Sequence, residues 1–135
     1  MRAAGVGLIY GVGDMGTLLI IEDDFELSRM MRLFLEKHGH QVYTAANGIE
    51  ALYQINAYRP DLIILDLMMP LAPGEAVLEH IRQTPDLRDI PVLVVSALPT
   101  AQAQVADLNV AEVLQKPIEM RALAERVSNL LTPAD

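Results

Sequence analysis

The chain has 135 residues, enough for one compact domain with its own core and too few for two. Its net charge of -8 argues against broad contact with nucleic-acid phosphates or an anionic membrane surface, because both require clustered Lys and Arg. The absence of cysteine excludes a disulfide framework, a thiolate metal site and a cysteine nucleophile, and it fits a cytoplasmic location.

The first residues contain GVGDMG, in which Gly11, Gly13 and Gly16 fit the GxGxxG pattern of dinucleotide-binding loops. Such a loop leads into a helix whose N-terminus meets the pyrophosphate, but the residues that follow here, TLLII, are typical of a buried strand. We therefore interpret residues 1–16 as a flexible extension, and a dinucleotide-dependent enzyme ranks low. Glycines and charges interrupt this apolar stretch, so it is a poor match to a membrane helix or a signal peptide.

Apolar periodicity beyond the extension predicts five strands that alternate with helices. The predicted strands lie at residues 17–21, 41–45, 61–66, 90–95 and around 113–114. The predicted helices run from residue 25 to Gly39, from 48 to just before Pro60, and over 76–82, 101–108 and 118–131. This alternation indicates an α/β fold with a doubly wound, five-stranded, mostly parallel sheet and helices on both faces.

Helical spacing also predicts which side chains face the core. Met30 and Met31 of the first helix are assigned to the core, and Ile49 belongs to the apolar face of the second helix. Asp24 is interpreted as a helix-start residue, because an acid there is favourable to the helix dipole. The three histidines lack the spacing of metal ligands and are assigned to the surface: His38, His40 and His80.

Polar residues, with two apolar neighbours, stand at the carboxyl ends of the strands, where doubly wound folds hold their reactive sites. They are Glu22, Asp23, Asp66, Ser96, Ala97, Lys116 and Pro117. Three carboxylates brought together repel one another unless a cation joins them, and Mg²⁺ prefers such oxygen ligands. A lysine and a hydroxyl beside the metal form a pocket for a phosphoryl group, and a carboxylate there can attack phosphorus.

These residues carry a resemblance: residues 17–131 resemble the receiver domain of two-component response regulators, which has a flavodoxin-like fold. The matching stretches are LLIIEDD, PDLIILDLMMP with Gly74 eight residues after Asp66, VLVVSA and QKP. Each stretch alone is weakly specific, but together, in this order and at these spacings, they are highly specific. Residues 132–135 are interpreted as a C-terminal tail.

The resemblance implies a phosphoacceptor and a metal site. Asp66 would take a phosphoryl group from a phosphohistidine on a sensor histidine kinase or a phosphotransfer protein. Asp23, Asp66 and the backbone carbonyl of Met68 would hold Mg²⁺ directly, and Glu22 would reach the ion through water.

The resemblance also implies which groups bind the phosphoryl oxygens. Lys116 would pair with them, and Ser96 and the backbone N–H of Ala97 would bind them too. Ser96 would move toward the phosphate on activation, and a cis peptide bond before Pro117 would help to aim Lys116. The outcome would be a changed surface for a downstream protein partner or output domain.

The chain departs from the family pattern in three places, and the first two fall on the surface that many receivers use for output. Val113 occupies the switch position where many members carry an aromatic residue, so a ring rotation coupled to hydroxyl movement is not expected there. The stretch 96–116 is shorter than in most members by roughly two residues of helix. Asn109 replaces a common glycine, which is a mild change because Asn tolerates the left-handed conformation. We expect retained phosphorylation and an unusual signalling surface.

The leading interpretation is a phosphorylation-switched cytoplasmic signalling domain, which is not an enzyme in the usual sense and has no direct nucleic-acid or membrane contact. The alternative is a pseudo-receiver that keeps the fold as a phosphorylation-independent interaction or dimerisation module. An aspartyl-phosphate hydrolase of another family ranks low, because such enzymes often carry an acid where Met68 stands. The plainest alternative, solvated caps at strand ends, does not account for a hydroxyl and a lysine at the same edge. Homodimerisation is left open, as is the choice between a single-domain regulator and part of a longer protein.

Overall fold

The structure, a computed structural model, describes residues 15–69 and 73–132. Most of the predicted N-terminal extension, including Gly11 and Gly13, and most of the predicted tail lie outside these residues. The strands are β1 (Thr17–Ile21), β2 (Gln41–Ala45), β3 (Leu62–Asp66), β4 (Val92–Ser96) and β5 (Glu112–Gln115). The helices are α1 (Phe25–Lys37), α2 (Gly48–Tyr58), α3 (Gly74–Gln83), α4 (Ala101–Gln104) and α5 (Met120–Leu131), with a 3₁₀ turn at Ala106–Leu108.

The five strands form one parallel sheet in the order β2-β1-β3-β4-β5. The chain moves outward from β1 to β2 and then crosses back to β3 on the other side of β1, so the strand order reverses between β1 and β3. All strands point the same way, and their carboxyl ends therefore meet at one edge. This arrangement confirms the predicted doubly wound α/β fold.

Both faces of the sheet are buried, as expected for parallel strands covered by crossover helices. All five residues of β3 and of β4 are buried. Alternate side chains enter two core layers. One layer contains Leu19, Ile21, Ile63 and Leu65 together with residues of α2 and α3, and the other contains Leu18, Ile20, Leu62 and Ile64 together with residues of α1 and α5.

Local signals set the starts of α1 and α2 where the sequence predicts them. Asp24 caps α1 by accepting a hydrogen bond from the N–H of Leu27 at 3.1 Å. Asn47 caps α2 in the same way through the N–H of Glu50 at 2.9 Å. Gly39 follows α1 with a φ of 94°, a conformation that glycine adopts without steric cost.

Three predicted side-chain positions are wrong. Met30 and Ile49 are 55% and 62% exposed, because each helix contacts the sheet through a narrower stripe than its full apolar face. In α1 that stripe includes Ser28, a buried residue that the apolar pattern does not predict to face the core. His40 is buried rather than on the surface, and its Nδ1 accepts a hydrogen bond from the N–H of Gly16 at 3.2 Å.

Some element boundaries also differ from the prediction, most of them by one or two residues. The predicted helix over 101–108 is divided into α4, which ends at Gln104, and the 3₁₀ turn at Ala106–Leu108. β4 begins at Val92 rather than Ile90, since Pro91 has no N–H to donate to a ladder. α3 begins at Gly74 rather than Ala76, and α5 begins at Met120 rather than Ile118. No helix in residues 15–69 and 73–132 is long and apolar enough to cross a membrane.

Candidate functional site

The carboxyl ends of β1 and β3 bring three acids together. β1 and β3 are neighbours in register, with Ile21 opposite Leu65, so the residues that follow β1 lie beside the end of β3. Glu22, Asp23 and Asp66 each offer a carboxylate oxygen, and these oxygens lie within 4.8 Å of one another. Glu22 and Asp66 are buried and Asp23 is exposed, so the cluster opens to solvent on one side.

Lys116 supplies positive charge to this cluster from the end of β5. Its Nζ lies 2.7 Å from Glu22 Oε1 and 3.6 Å from Asp66 Oδ2. The backbone N–H of Lys116 donates to the carbonyl of Ser96 at 2.9 Å, which ties the lysine to the end of β4. The peptide bond between Lys116 and Pro117 is cis, as expected from the resemblance.

Burial and charge act in opposite directions on the ionisable groups of the cluster. Burial raises the pKa of Glu22, although its hydrogen bond with Lys116 works against this shift. Burial likewise raises the pKa of Asp66, against the hydrogen bond from Met68 and the charge of Lys116. For Lys116, burial lowers the pKa, but the hydrogen bond with Glu22 and the nearby carboxylates outweigh it and raise the pKa overall.

Backbone hydrogen bonds orient the two buried carboxylates. Asp66 Oδ1 accepts from the N–H of Met68 at 3.2 Å, and Glu22 Oε2 accepts from the N–H of Asp24 at 3.0 Å. A carboxylate held in this way keeps its remaining lone pairs for a cation or a reacting atom. The side chain of Met68 is exposed.

Gly74 has a steric role at this site that the sequence alone did not identify. A Cβ at this position would collide with the carbonyl oxygen of Asp66 and lie 2.6 Å from the Cα of Leu67. The N–H of Gly74 also donates to the carbonyl of Leu67 at 3.0 Å. The start of α3 therefore packs directly against the backbone that carries Asp66. The only sequence signal was the glycine eight residues after the acid.

The end of β4 lies beside the end of β3, with Asp66 opposite Val95. Ser96 is the next residue along β4; it is fully buried, and its Oγ accepts a hydrogen bond from the N–H of Leu98 at 3.1 Å. Ala97 follows at an exposed position. Val113 lies farther from the acids, opposite Val94 on β5, where it is half-buried against the apolar core.

The donor set fits a hard divalent cation. Three carboxylates face one ammonium group, so the cluster keeps an excess of negative charge, and oxygen donors are the ligands that Mg²⁺ prefers. A cation and a lysine beside a carboxylate also suit a phosphoryl group, whose oxygens require positive charge around them.

Comparison with known proteins identifies the family. Residues 18–128 match the family model of the response regulator receiver domain. The sensor histidine kinase TmoS of Ectopseudomonas mendocina is 36% identical over 131 residues, which cover 96% of this chain and 13% of that protein. The DNA-binding dual master transcriptional regulator RpaA of Synechocystis sp. is 35% identical over 123 residues, which cover 90% of this chain and 51% of that protein.

Solved structures give the same result. The signal receiver domain of a signal transduction histidine kinase from Syntrophus aciditrophicus superimposes with a TM-score of 0.80 at 34% identity, covering 86% of this chain and 89% of that one. The chain spans about one eighth of TmoS and about half of RpaA, so in both cases it is similar to one part of a longer protein. The chain belongs to the response regulator receiver domain family of two-component systems.

Proposed function

We propose that this receiver domain is a phosphorylation-controlled switch in which Asp66 accepts a phosphoryl group from a phosphohistidine. The donor would be a sensor histidine kinase or a phosphotransfer protein, and the product would be a changed protein-binding surface. One observation carries the proposal: Asp66 is a buried carboxylate that lies within 4.8 Å of two other acids and 3.6 Å from the ammonium group of Lys116. Structural acids at strand ends do not need such an arrangement.

In the transfer, a carboxylate oxygen of Asp66 attacks the phosphorus atom. The new P–O bond forms as the P–N bond to the donor imidazole breaks, and the electron pair of that bond leaves on the imidazole nitrogen. Lys116 is close enough to Asp66 to compensate the negative charge of the transferred oxygens. The hydroxyl of Ser96 and the N–H of Ala97 would donate hydrogen bonds to the same oxygens.

Asp23, Asp66 and the carbonyl of Met68 would hold Mg²⁺ directly, and Glu22 would hold it through water. When bound, the ion would neutralise charge on the carboxylates and on the phosphoryl oxygens. Burial raises the pKa of Glu22 and the pKa of Asp66, so a bound cation would favour the charged form of both carboxylates. The chain would act in the cytoplasm, through protein contacts and without direct binding to nucleic acid or membrane.

Intact-mass spectrometry tests this proposal. The protein is incubated with a small-molecule phosphodonor, with and without Mg²⁺, beside an Asp66→Asn variant and an Asp89→Asn control that removes one exposed acid. We expect one added phosphoryl group on the parent protein and on the control, only with Mg²⁺, and none on Asp66→Asn. A modified Asp66→Asn protein, or an unmodified parent that is folded, would contradict the proposal.

Val113 favours the alternative, a pseudo-receiver that binds partners or dimerises without phosphorylation. A valine has no ring to rotate, so the output surface cannot follow hydroxyl movement in the way an aromatic residue permits. A folded parent protein without an adduct would support this alternative. If an adduct forms, structures with and without a phosphoryl mimic would show how Ser96 and the region of Val113 move. Movement of both in the ordinary way would contradict our expectation of an unusual signalling surface.

A further inference from the structure

Arg82, in the last turn of α3, makes a set of hydrogen bonds far from the acidic cluster. Its guanidinium group donates to four backbone carbonyl oxygens from two separate segments. The acceptors are Leu108 O at 2.8 Å, Arg88 O at 2.9 Å, Asn109 O at 3.0 Å and Ile90 O at 3.1 Å. Arg82 therefore joins α3 to the segment before β4 and to the segment before β5.

Two of these carbonyls end the connection from β4 to β5, residues 97–111, which we call the crossover. Leu108 closes the 3₁₀ turn, and Asn109 follows it in the left-handed conformation with a φ of 53°. Carbonyls at the end of a helical turn have no partner within the turn, so side-chain donors or water satisfy them. A guanidinium group can satisfy several at once because its donors form a rigid fork. The chain then joins the sheet, where the N–H of Ala111 donates to the carbonyl of Val92 at 2.9 Å.

The other end of the crossover is held differently. The N–H of Leu98 donates to Ser96 Oγ, and the N–H of Ala101 donates to the carbonyl of Leu98 at 3.2 Å. α4 has only four residues, and Thr100 makes no side-chain cap hydrogen bond to it. Ala101 in this half and Val105 just after it are buried, so apolar packing rather than side-chain hydrogen bonding from another element holds them. In the described part of the chain, the first half of the crossover thus hydrogen-bonds to itself and to Ser96, whereas the second half is tied to α3.

We propose that Arg82 is the fixed end of the crossover: it holds residues 106–111 in place, so that a conformational change begun at the site is confined to residues 97–104. The connection is short, and one side chain ties its end to two other segments. A movement that starts at Ser96 would be absorbed in the half that lacks such ties. The surface that changes would then be α4 and the loop before it, and not β5.

Hydrogen exchange with mass spectrometry tests the fixed end on the unmodified protein. The whole chain is compared with Arg82→Gln and with Arg88→Gln, which removes an exposed arginine of the same segment and keeps its backbone carbonyl. We expect amides in residues 106–111 to exchange about tenfold faster in Arg82→Gln, the effect of losing one hydrogen bond to a charged donor. Exchange in residues 97–104 should change less than in 106–111, and Arg88→Gln should match the parent.

Unchanged exchange at residues 106–111 in a folded Arg82→Gln protein would overturn the proposal, and so would an equal increase throughout the domain. If Arg82→Gln does not fold, Arg82→Lys is used instead, because a lysine keeps the charge but cannot reproduce the fork. The Lys variant should show the same pattern with a smaller increase.

A second arm tests whether Arg82 confines the change to residues 97–104, and it rests on the proposed function. The protein is treated with phosphodonor and Mg²⁺, and the adduct is verified by intact mass. On phosphorylation, hydrogen exchange in the parent protein should change only in residues 97–104 of the crossover. In Arg82→Gln it should change in residues 97–104 and in residues 106–111. A change at residues 106–111 of the phosphorylated parent would overturn the proposal. If no adduct forms, the phosphorylation proposal fails, while the first arm still decides the role of Arg82.

Discussion

Glu22 and Asp66 are acids in buried positions, and burial raises the pKa of each. A carboxyl group with a higher pKa in the folded than in the unfolded state binds its proton more tightly when folded. The folded state therefore gains stability as pH falls through the folded pKa, and it loses that stability as pH rises. At neutral pH without divalent cations, the charged site works against the stability of the domain.

Replacement of Asp66 by Asn should therefore stabilise the cation-free protein at pH 7. The amide removes a charge that is costly to bury, and this gain outweighs the lost attraction between Asp66 and Lys116. The difference should shrink as pH falls and vanish near pH 3, below the ordinary Asp pKa of about 3.9. Urea midpoints measured in EDTA at several pH values provide the test. A lower midpoint than the parent at pH 7 would show that the Lys116 ion pair dominates instead.

For Gly74 we expect a substitution to destabilise the domain, because steric space rather than charge decides its effect. Replacing an ordinary helical Gly by Ala stabilises a helix by about 0.5–1 kcal/mol. Here a Cβ would collide with the backbone of Asp66 and Leu67, so we expect Gly74→Ala to destabilise the domain by about 2 kcal/mol. Urea denaturation gives the value. Ala76→Ser, at an exposed position in the same helix, should stay within about 0.5 kcal/mol of the parent. A stabilised Gly74→Ala protein would refute the steric interpretation.

At the scale of elements, the residue that caps the start of α1 could be mistaken for part of the acidic site. Asp24 follows Asp23 directly, but its side chain accepts from the N–H of Leu27 and caps the helix. Asp24→Ala should cost about 1 kcal/mol of stability, the usual effect of losing an N-cap. Its Mg²⁺ affinity should remain near that of the parent when both are folded, whereas Asp23→Asn should weaken Mg²⁺ binding. Urea denaturation and a magnesium titration separate the two roles, and a large loss of affinity in Asp24→Ala would make Asp24 a ligand.

α1 also shows why an apolar face predicts burial only approximately. Met31 and Leu35 are buried as the helical spacing indicates, but Met30 is exposed and Ser28 is buried. Leu27 and Phe34 pack at the edge of the core. The sheet below the helix accepts a narrow stripe, and its orientation depends on neighbouring elements that periodicity does not describe.

For the whole molecule, the site and the fold are linked, because the acids come from strands that meet only in the folded state. A cation that binds them therefore stabilises the domain by mass action. At a free Mg²⁺ concentration ten times its dissociation constant, the gain should be about 1.4 kcal/mol. Thermal unfolding with increasing Mg²⁺ measures it. Asp23→Asn should lose most of this gain, and an equal response in both proteins would point to non-specific ion effects.

The sequence by itself determined the order and type of the elements. Apolar runs such as Thr17–Ile21 and caps such as Asp24 and Asn47 are local signals, since they depend on residues a few positions apart. The strand-end rule also predicted which acids would lie near one another, because in a parallel sheet the carboxyl ends of the strands share one edge. The roles of Asp66, Lys116 and Ser96 are predictions that come from the family resemblance.

Only the tertiary structure decided the features that depend on residues far apart in the chain. The pairing of Lys116 with Glu22 spans 94 positions, and the bonds from Arg82 to Leu108 and Asn109 span 26 and 27. His40 is buried where its ring meets the backbone of Gly16, and Gly74 is restricted by the backbone of Asp66. Each of these contacts requires two segments to be packed at a fixed distance. Local sequence determines which residues can form elements, but the packing of those elements determines which side chains meet.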